Sequence, residues 1–318
     1  MADKKIRLGI VMDPIAAITP KKDSSLAMLL EAQRRGYELH SMMQKDLKLV
    51  AGEAIGHSRL LNVQDDLEHW FDEGDEQEID LGGLDVILMR KDPPFDMEYI
   101  YTTYILERAE VAGALIVNRP QALRDMNEKA YTAWFADCSP LTIITRSMAD
   151  IKSFVEEHKK VVVKPLDGMG GRSIFVINHG DNNANVIIET LTDYGTRFAT
   201  AQVFIPEISE GDKRILLIDG EAIPYLLARI PPANDNRGNL VVGAVAEGRE
   251  LSERDRWICD RVGPVLKEKG VLFCGIDVIG DYMTEINSTS PTGIRELDTI
   301  FDLNIAGTLF DAIENKLG

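Results

Sequence analysis

Residues 6–12, IRLGIVM, form an apolar run that stops at Asp13-Pro14. A run of that length ending at a breaker predicts a buried strand. Asp23-Ser24 then stands ahead of an apolar-periodic segment that reaches Arg35 and is stopped by Gly36, which predicts a capped helix. Residues 37–42 return as a strand, so the three elements make one β-α-β unit. Residues 85–90 predict another strand, which ends in Lys91-Asp92-Pro93-Pro94. A helix over residues 97–112, Gly113, and a strand over 114–118 follow, and Arg119-Pro120 closes the region near residue 122.

Beyond that point the pattern changes. A helix containing Glu128 and Lys129 is expected first. Val161-Val162-Val163 then leads through Lys164 into KPLDGMGGRSIF, where Gly168, Gly170 and Gly171 fall within four residues, and residues 173–177 alternate like a second strand. Residues 215–218 and 221–229 flank Asp219-Gly220, a strong hairpin signal. The next segment, PPANDNRGNLVVGA at 231–244, is rich in Pro, Asn and Gly and long for a connection, so a disordered stretch or a functional lid is expected there. Ser252 caps a helix that runs to about Lys269, and strands over 271–279 and 283–287 complete the pattern. The chain contains no internal repeat and no low-complexity tract.

A length of 318 residues admits two or three domains, and 45% hydrophobic with 27% charged residues is a globular composition. No apolar run approaches the ~20 residues of a membrane span, and MADKKIRLGIVMD lacks a signal-peptide core. The cysteines, Cys138, Cys259 and Cys274, form no C-x-x-C, and the five histidines have no ligand spacing, so neither a disulfide framework nor a zinc site is expected. These features fit a cytoplasmic setting. The net charge of −17 disfavours nucleic acid and anionic membranes as partners. It does not bear on a small anionic ligand, because a few arginines can create a local positive pocket.

The glycine loop after Lys164 is the first chemical clue. Its lysine precedes the glycines, unlike a P-loop, and the glycines lead into a strand, unlike a dinucleotide fingerprint. A hairpin of this kind can lay backbone N–H groups over phosphates; an ordinary flexible hairpin has the same composition. The second clue is GIDVIGDYMTEINSTSPTG at 275–293. Glu285 and Asn287 are two apart on one strand and share a face, and the turn at Gly280-Asp281 brings Asp277 opposite them. Three oxygen donors without His or Cys suit Mg²⁺ or Mn²⁺; the alternative is a solvated hairpin with scattered acids. Arg90, Arg214, Arg229 and Arg237 are candidates to grip phosphate or carboxylate in two-point geometry, although an arginine near a strand end is often only a surface residue. The extended segment AQVFIPE at 201–207 can offer its backbone to an adenine edge, or can be a plain core strand.

Taken together, these features resemble the ATP-grasp superfamily, and within it the bacterial glutathione synthetases along nearly the whole chain. The stretches that carry the resemblance are LGIVMDPI, KKDSS, EAQRRGYELH, LDVILMRKDPPFD, TYILERAE, KPLDGMGG, ETLT, GDKR, LARIP, RGNL and TEINSTSPT. The resemblance implies an α/β (α+β) ATP-grasp fold in three domains. A Rossmann-like N-terminal domain would span 1–122, a central subdomain with the glycine flap 123–202, and a C-terminal subdomain with lid and metal site 203–318. It implies ligation of γ-glutamylcysteine to glycine with ATP. Lys129, Lys164 and the flap glycines would hold the phosphates, and Gln202, Val203, Phe204 and Ile205 would form the adenine hinge. Asp277, Glu285 and Asn287 would hold two Mg²⁺ (or Mn²⁺). Arg214, Arg229 and Arg237 would serve phosphate or peptide carboxylates, and Arg90 with Ser290, Pro291 and Thr292 would hold the dipeptide. A homotetramer is implied as well. Departures from the family pattern stand at Val203-Phe204, Arg172, Ser288 and Gly293. Two other readings share parts of this set: a different ATP-grasp carboxylate–amine ligase, acting on D-alanine or tailing a protein with amino acids, and a non-catalytic nucleotide-binding protein on the same fold.

Overall fold

The computed structural model describes residues 5–232 and 245–318. The expected lid, apart from its first two residues, and Arg237 within it lie outside the described residues. Among those described, the chain builds three sheets in sequence order.

The first sheet contains β1 (Arg7–Val11), β2 (Glu38–Met42), β3 (Leu47–Val50), β4 (Glu53–Val63), β5 (Phe71–Asp80), β6 (Val86–Met89) and β7 (Leu115–Val117). β1 runs parallel to β2 and β6, and β7 runs parallel to β6, as β-α-β connections require. Helix α1 (Ser24–Arg34) starts where Asp23 accepts a hydrogen bond from the Leu26 amide. Helix α2 (Met97–Ala112) is capped by Asp96 and ends at Gly113, whose φ of 125° no branched residue adopts easily. A short helix, α3 (Pro120–Asp125), leads out.

β3, β4 and β5 form an antiparallel extension that the hydrophobic pattern does not announce. Buried positions of β4 include Ala54, Gly56 and Ser58, which are too small to register as apolar alternation. β5 reads FDEGDEQEID and is almost wholly exposed. Its acids answer Lys48 and Arg59 instead of a core.

The second sheet has the order β10-β9-β11-β8, from β8 (Thr142–Thr145), β9 (Lys160–Pro165), β10 (Phe175–Asn178) and β11 (Ala199–Val203). Helices α4 (Met148–His158) and α5 (Ala184–Thr192) cover it. The expected helix through Glu128 and Lys129 is absent. Those residues form a turn, followed by a 3₁₀ run over Ala130–Phe135. Asn127 Oδ1 accepts from the amides of Lys129 and Ala130, a local bond that competes with helix propagation.

The third sheet has the order β14-β13-β12-β15-β16, from β12 (Asp212–Ile218), β13 (Glu221–Ile230), β14 (Val245–Glu250), β15 (Phe273–Ile279) and β16 (Tyr282–Asn287). Asp219 and Gly220, both at positive φ, turn β12 into β13. Helix α6 (Glu253–Lys269) begins at the expected Ser252 cap. Helices α7 (Ile294–Phe301) and α8 (Ile305–Leu317) return to the start of the chain, so Leu8, Leu26 and Leu29 share one core with Leu216, Leu309 and Phe310. The side chain of Asn118, just beyond β7, is buried between the first and third sheets. It donates to the carbonyls of Phe273 (2.6 Å) and Ser288 (2.7 Å) and accepts from the amides of Leu272 and Phe273.

Candidate active site

A cavity of about 780 Å³ opens where the three sheets meet. A cleft of that size between structural units, lined by converging polar groups, is the usual setting of a small-molecule site. Every expected site residue among those described lines it except Arg90.

One wall is the glycine hairpin between β9 and β10. Gly170 and Gly171 take positive φ, at 67° and 74°, whereas Gly168 does not. A Cβ on Gly168 would instead stand 3.0 Å from Pro165 Cγ, so that glycine serves close approach. Lys164 sits at the end of β9, buried at 7% exposure. Burial pulls its ammonium down to about 8, against a weaker opposing pull from Glu285. Lys129 lies across from it. Its Nζ donates to Gly168 O (2.6 Å) and contacts Glu285 Oε1 at 2.7 Å. Burial opposes its charge, but Glu285, with help from Glu128 and Asp277, holds its pKa above the ordinary value.

The floor comes from β12, β13, β15 and β16. Asp277 pairs in register with Glu285, and Gly275 pairs with Asn287. Arg214 grips Asp277 with two bonds of 2.6 and 3.1 Å, and Arg229 reaches the same carboxylate at 2.9 Å and Asp212 at 2.6 Å. Burial alone would raise the pKa of Asp277; the two guanidiniums reverse that and hold it well below the usual carboxylate range. Among the described residues Asp212 Oδ1 has no hydrogen-bond partner, and burial, helped by the neighbouring Asp277 and only partly offset by Arg229, pushes Asp212 up to about 6. Asn287 donates its side-chain amide to Gly275 O at 3.2 Å.

The far end is the loop at 288–292. Arg90 stands behind this loop. It is buried, donates to Pro291 O at 2.9 Å and to Ser25 Oγ at 3.0 Å, and among the described residues its Nη1 has no partner. Gly293 takes a φ of 120° at the start of α7. Ser288 is buried and its Oγ has no partner among the described residues, and Arg172 is an exposed residue on the cavity rim.

In the adenine-hinge candidate, the amides of Val203 and Phe204 already donate to Leu141 O and Lys160 O. Only the Ile205 amide, one residue past β11, has no acceptor among the described residues.

The motif reading did not single out Asp212, Asn118 or Glu128. Asp212 was within reach, because it stands two residues before Arg214 on one strand and shares its face. Asn118 and Glu128 act on residues more than 150 positions away, and no local spacing signals that.

A glycine hairpin over two lysines, facing a sheet that carries paired carboxylates and arginines, defines an ATP-grasp ligase, and solved structures share the fold. D-cycloserine synthetase DcsG superimposes with a TM-score of 0.69 at 16% identity, covering 98% of this chain and 100% of that one. The ATP-grasp ligase PsnB, complexed with minimal precursor, Mg and ADP, superimposes with a TM-score of 0.62 at 15% identity, covering 98% of each chain. The chain belongs to the prokaryotic glutathione synthetase family: the model of that family's N-terminal domain matches residues 6–124, and the model of its ATP-grasp domain matches residues 128–302. It is 59% identical over 312 residues to the glutathione synthetases of Escherichia coli (strain K12) and Vibrio parahaemolyticus, spanning 98% of this chain and 99% of each relative. It is therefore an ATP-dependent ligase. Among the described residues, no helix is long and apolar enough to cross a membrane.

Proposed function

We propose that the chain joins γ-L-glutamyl-L-cysteine to glycine, releasing ADP and phosphate, through an acyl phosphate. The observation that carries this reading is the convergence, in one cavity, of two buried lysines, a carboxylate-bearing sheet and the 288–292 loop. A carboxylate that attacks a triphosphate brings negative charge toward negative charge. Lys129 and Lys164 offset that repulsion at the phosphates, and the glycine hairpin covers them. Once the phosphoryl group has moved to the dipeptide carboxylate and ADP has left, the glycine amine attacks the acyl carbon. The amine loses a proton, and phosphate departs with the acyl C–O bonding pair. No protein nucleophile is required. The Ile205 amide, without an acceptor among the described residues, would serve as a hinge donor to a base edge.

Asp277, Glu285 and Asn287 fit Mg²⁺ or Mn²⁺. All three residues line the cavity and offer oxygen donors, the Asn287 side-chain nitrogen being engaged with Gly275 O. When bound, the metal supplies positive charge to the phosphate oxygens. In the state described here Asp277 is held by Arg214 and Arg229, so a cation at this carboxylate would exchange places with guanidiniums that can then turn to phosphate or carboxylate. The same reading carries a homotetrameric assembly and a cytoplasmic setting, which sedimentation and cell fractionation check. Its central test is ADP release measured with dipeptide and glycine supplied singly and together. Release that requires both substrates, with a new peptide bond formed per ADP, is expected. Release with D-alanine in place of the dipeptide, or none with either, would overturn the reading.

A further inference from the structure

The loop at 288–292 is held from several sides. Asn118 donates to Ser288 O, Arg90 to Pro291 O, and Arg214 Nη1 to Thr292 O at 3.2 Å. These bonds hold the loop by its carbonyls. Its first two amides are held otherwise. Ser288 N and Thr289 N both donate to Glu128 Oε1, each at 3.0 Å, and Thr289 Oγ1 donates to the same oxygen at 2.8 Å. The Glu128 carbonyl also accepts from Ile286 N at 2.8 Å, so the turn lies along the last residues of β16. Three donors on one carboxylate oxygen form an anion nest. Here the anion belongs to the protein, and the nest is the start of the loop.

The neighbouring residue faces the other way. Lys129 reaches the glycine hairpin at Gly168 O and the carboxylate of Glu285. Adjacent residues therefore tie the dipeptide end of the cavity and its phosphate end to one rigid turn, which Asn127 pins in place. We propose that Glu128 is a positioning residue for the acceptor substrate, setting the register of the 288–292 loop against the phosphate-binding wall by clasping Ser288 and Thr289. The inference rests on reading that loop as the dipeptide site. In-line transfer is sensitive to displacements of about 1 Å, so a loop released from this clasp loses the dipeptide without losing the nucleotide.

The test is steady-state kinetics on Glu128→Ala and Glu128→Gln. Two amides and a hydroxyl lose a charged acceptor in the alanine variant, which should raise KM for the dipeptide by about tenfold or more and lower kcat. KM for ATP should stay within about threefold, because Lys129, Lys164 and the hairpin remain. Glutamine keeps an acceptor oxygen and should restore the dipeptide KM to within about threefold of wild type. If the alanine variant does not fold, Thr289→Val carries the same test. It removes one of the three donors and should raise the dipeptide KM several-fold, with KM for ATP unchanged. An unchanged dipeptide KM, equal movement of both KM values, or no recovery with glutamine would overturn the proposal. Wild-type protein that releases ADP without any dependence on dipeptide would instead overturn the reading of the loop beneath it.

Discussion

Lys164 offers a quantitative check on the phosphate site. In the ligand-free protein its pKa is drawn down to about 8 by burial, from an ordinary 10.5. A triphosphate beside it favours the charged form and should return the pKa to at least its ordinary value. Binding then takes up a proton equal to the change in occupancy: about 0.1 at pH 7, about 0.5 at pH 8 and about 0.9 at pH 9. Only the charged amine grips the phosphates, so nucleotide affinity should fall about tenfold between pH 7 and pH 9, a loss of about 1.4 kcal/mol. Lys129 adds nothing here, because Glu285 keeps it charged throughout the range. The assay is calorimetric titration with a non-hydrolysable ATP analogue and Mg²⁺ at pH 8 and 9, where the triphosphate is already fully ionised. Buffers of different ionisation enthalpy report the proton count, and Lys164→Met provides the control. Binding heats that do not depend on the buffer at pH 9, or an uptake that persists in Lys164→Met, would refute the assignment of this lysine to the nucleotide.

Two further outcomes follow from the charge pairing. Glu285→Ala should abolish turnover and lower thermal stability too, because buried Lys129 loses its carboxylate partner, but by less than Asp277→Ala, since a single lysine is affected and it keeps Gly168 O as an acceptor. Asp277→Ala should abolish turnover and also destabilise the fold by roughly 3–5 kcal/mol, because Arg214 and Arg229 are left buried without their shared counter-ion; thermal melts of the two variants side by side check this. Glu31 is held down to about 2 by Arg34 and, against burial, by Arg35 and Asn304. A depressed carboxyl stabilises above its unfolded value of 4.5 and loses that contribution as pH falls through about 2, so Glu31→Gln should cost about 3 kcal/mol at pH 7 and almost nothing near pH 2, as urea titrations at the two pH values would show.

The parts of this molecule that could be read directly are those whose signal is local. Asp23 caps α1, Gly113 stops α2, and Ser252 opens α6, because caps and stops act within one turn. The strand period put Glu285 and Asn287 on one face, and the tight turn returned Asp277 to them. Lys164 was marked by its place between a valine run and a glycine hairpin. What escaped was either hidden by side-chain size or settled at long range. The first half of the inward face of β4 is Ala54, Gly56 and Ser58, with Leu61 and Val63 only at its end, and β5 is an acidic edge, so neither announces itself as apolar alternation. Arg214 and Arg229 read as free anion receptors, yet in the fold they face the very carboxylate assigned to the metal. Nothing near position 128 announces that its carboxylate meets residues 288 and 289.

The shared core of α1 and α8 bears on how the protein is made. Tyr37 packs edge-on against Phe310 and bonds Glu314, while Arg35 reaches Asp311. Partners that lie about 270 residues apart in sequence leave the ribosome at very different times. At a synthesis rate of ~5–20 residues per second, the apolar face of α1 waits of the order of tens of seconds for the helix that covers it. During that interval Leu26 and Leu29 lack the cover of α8, and closing so distant a contact should slow the last stage of folding. The N-terminal unit therefore belongs to the finished chain, and expressing it alone should yield aggregate.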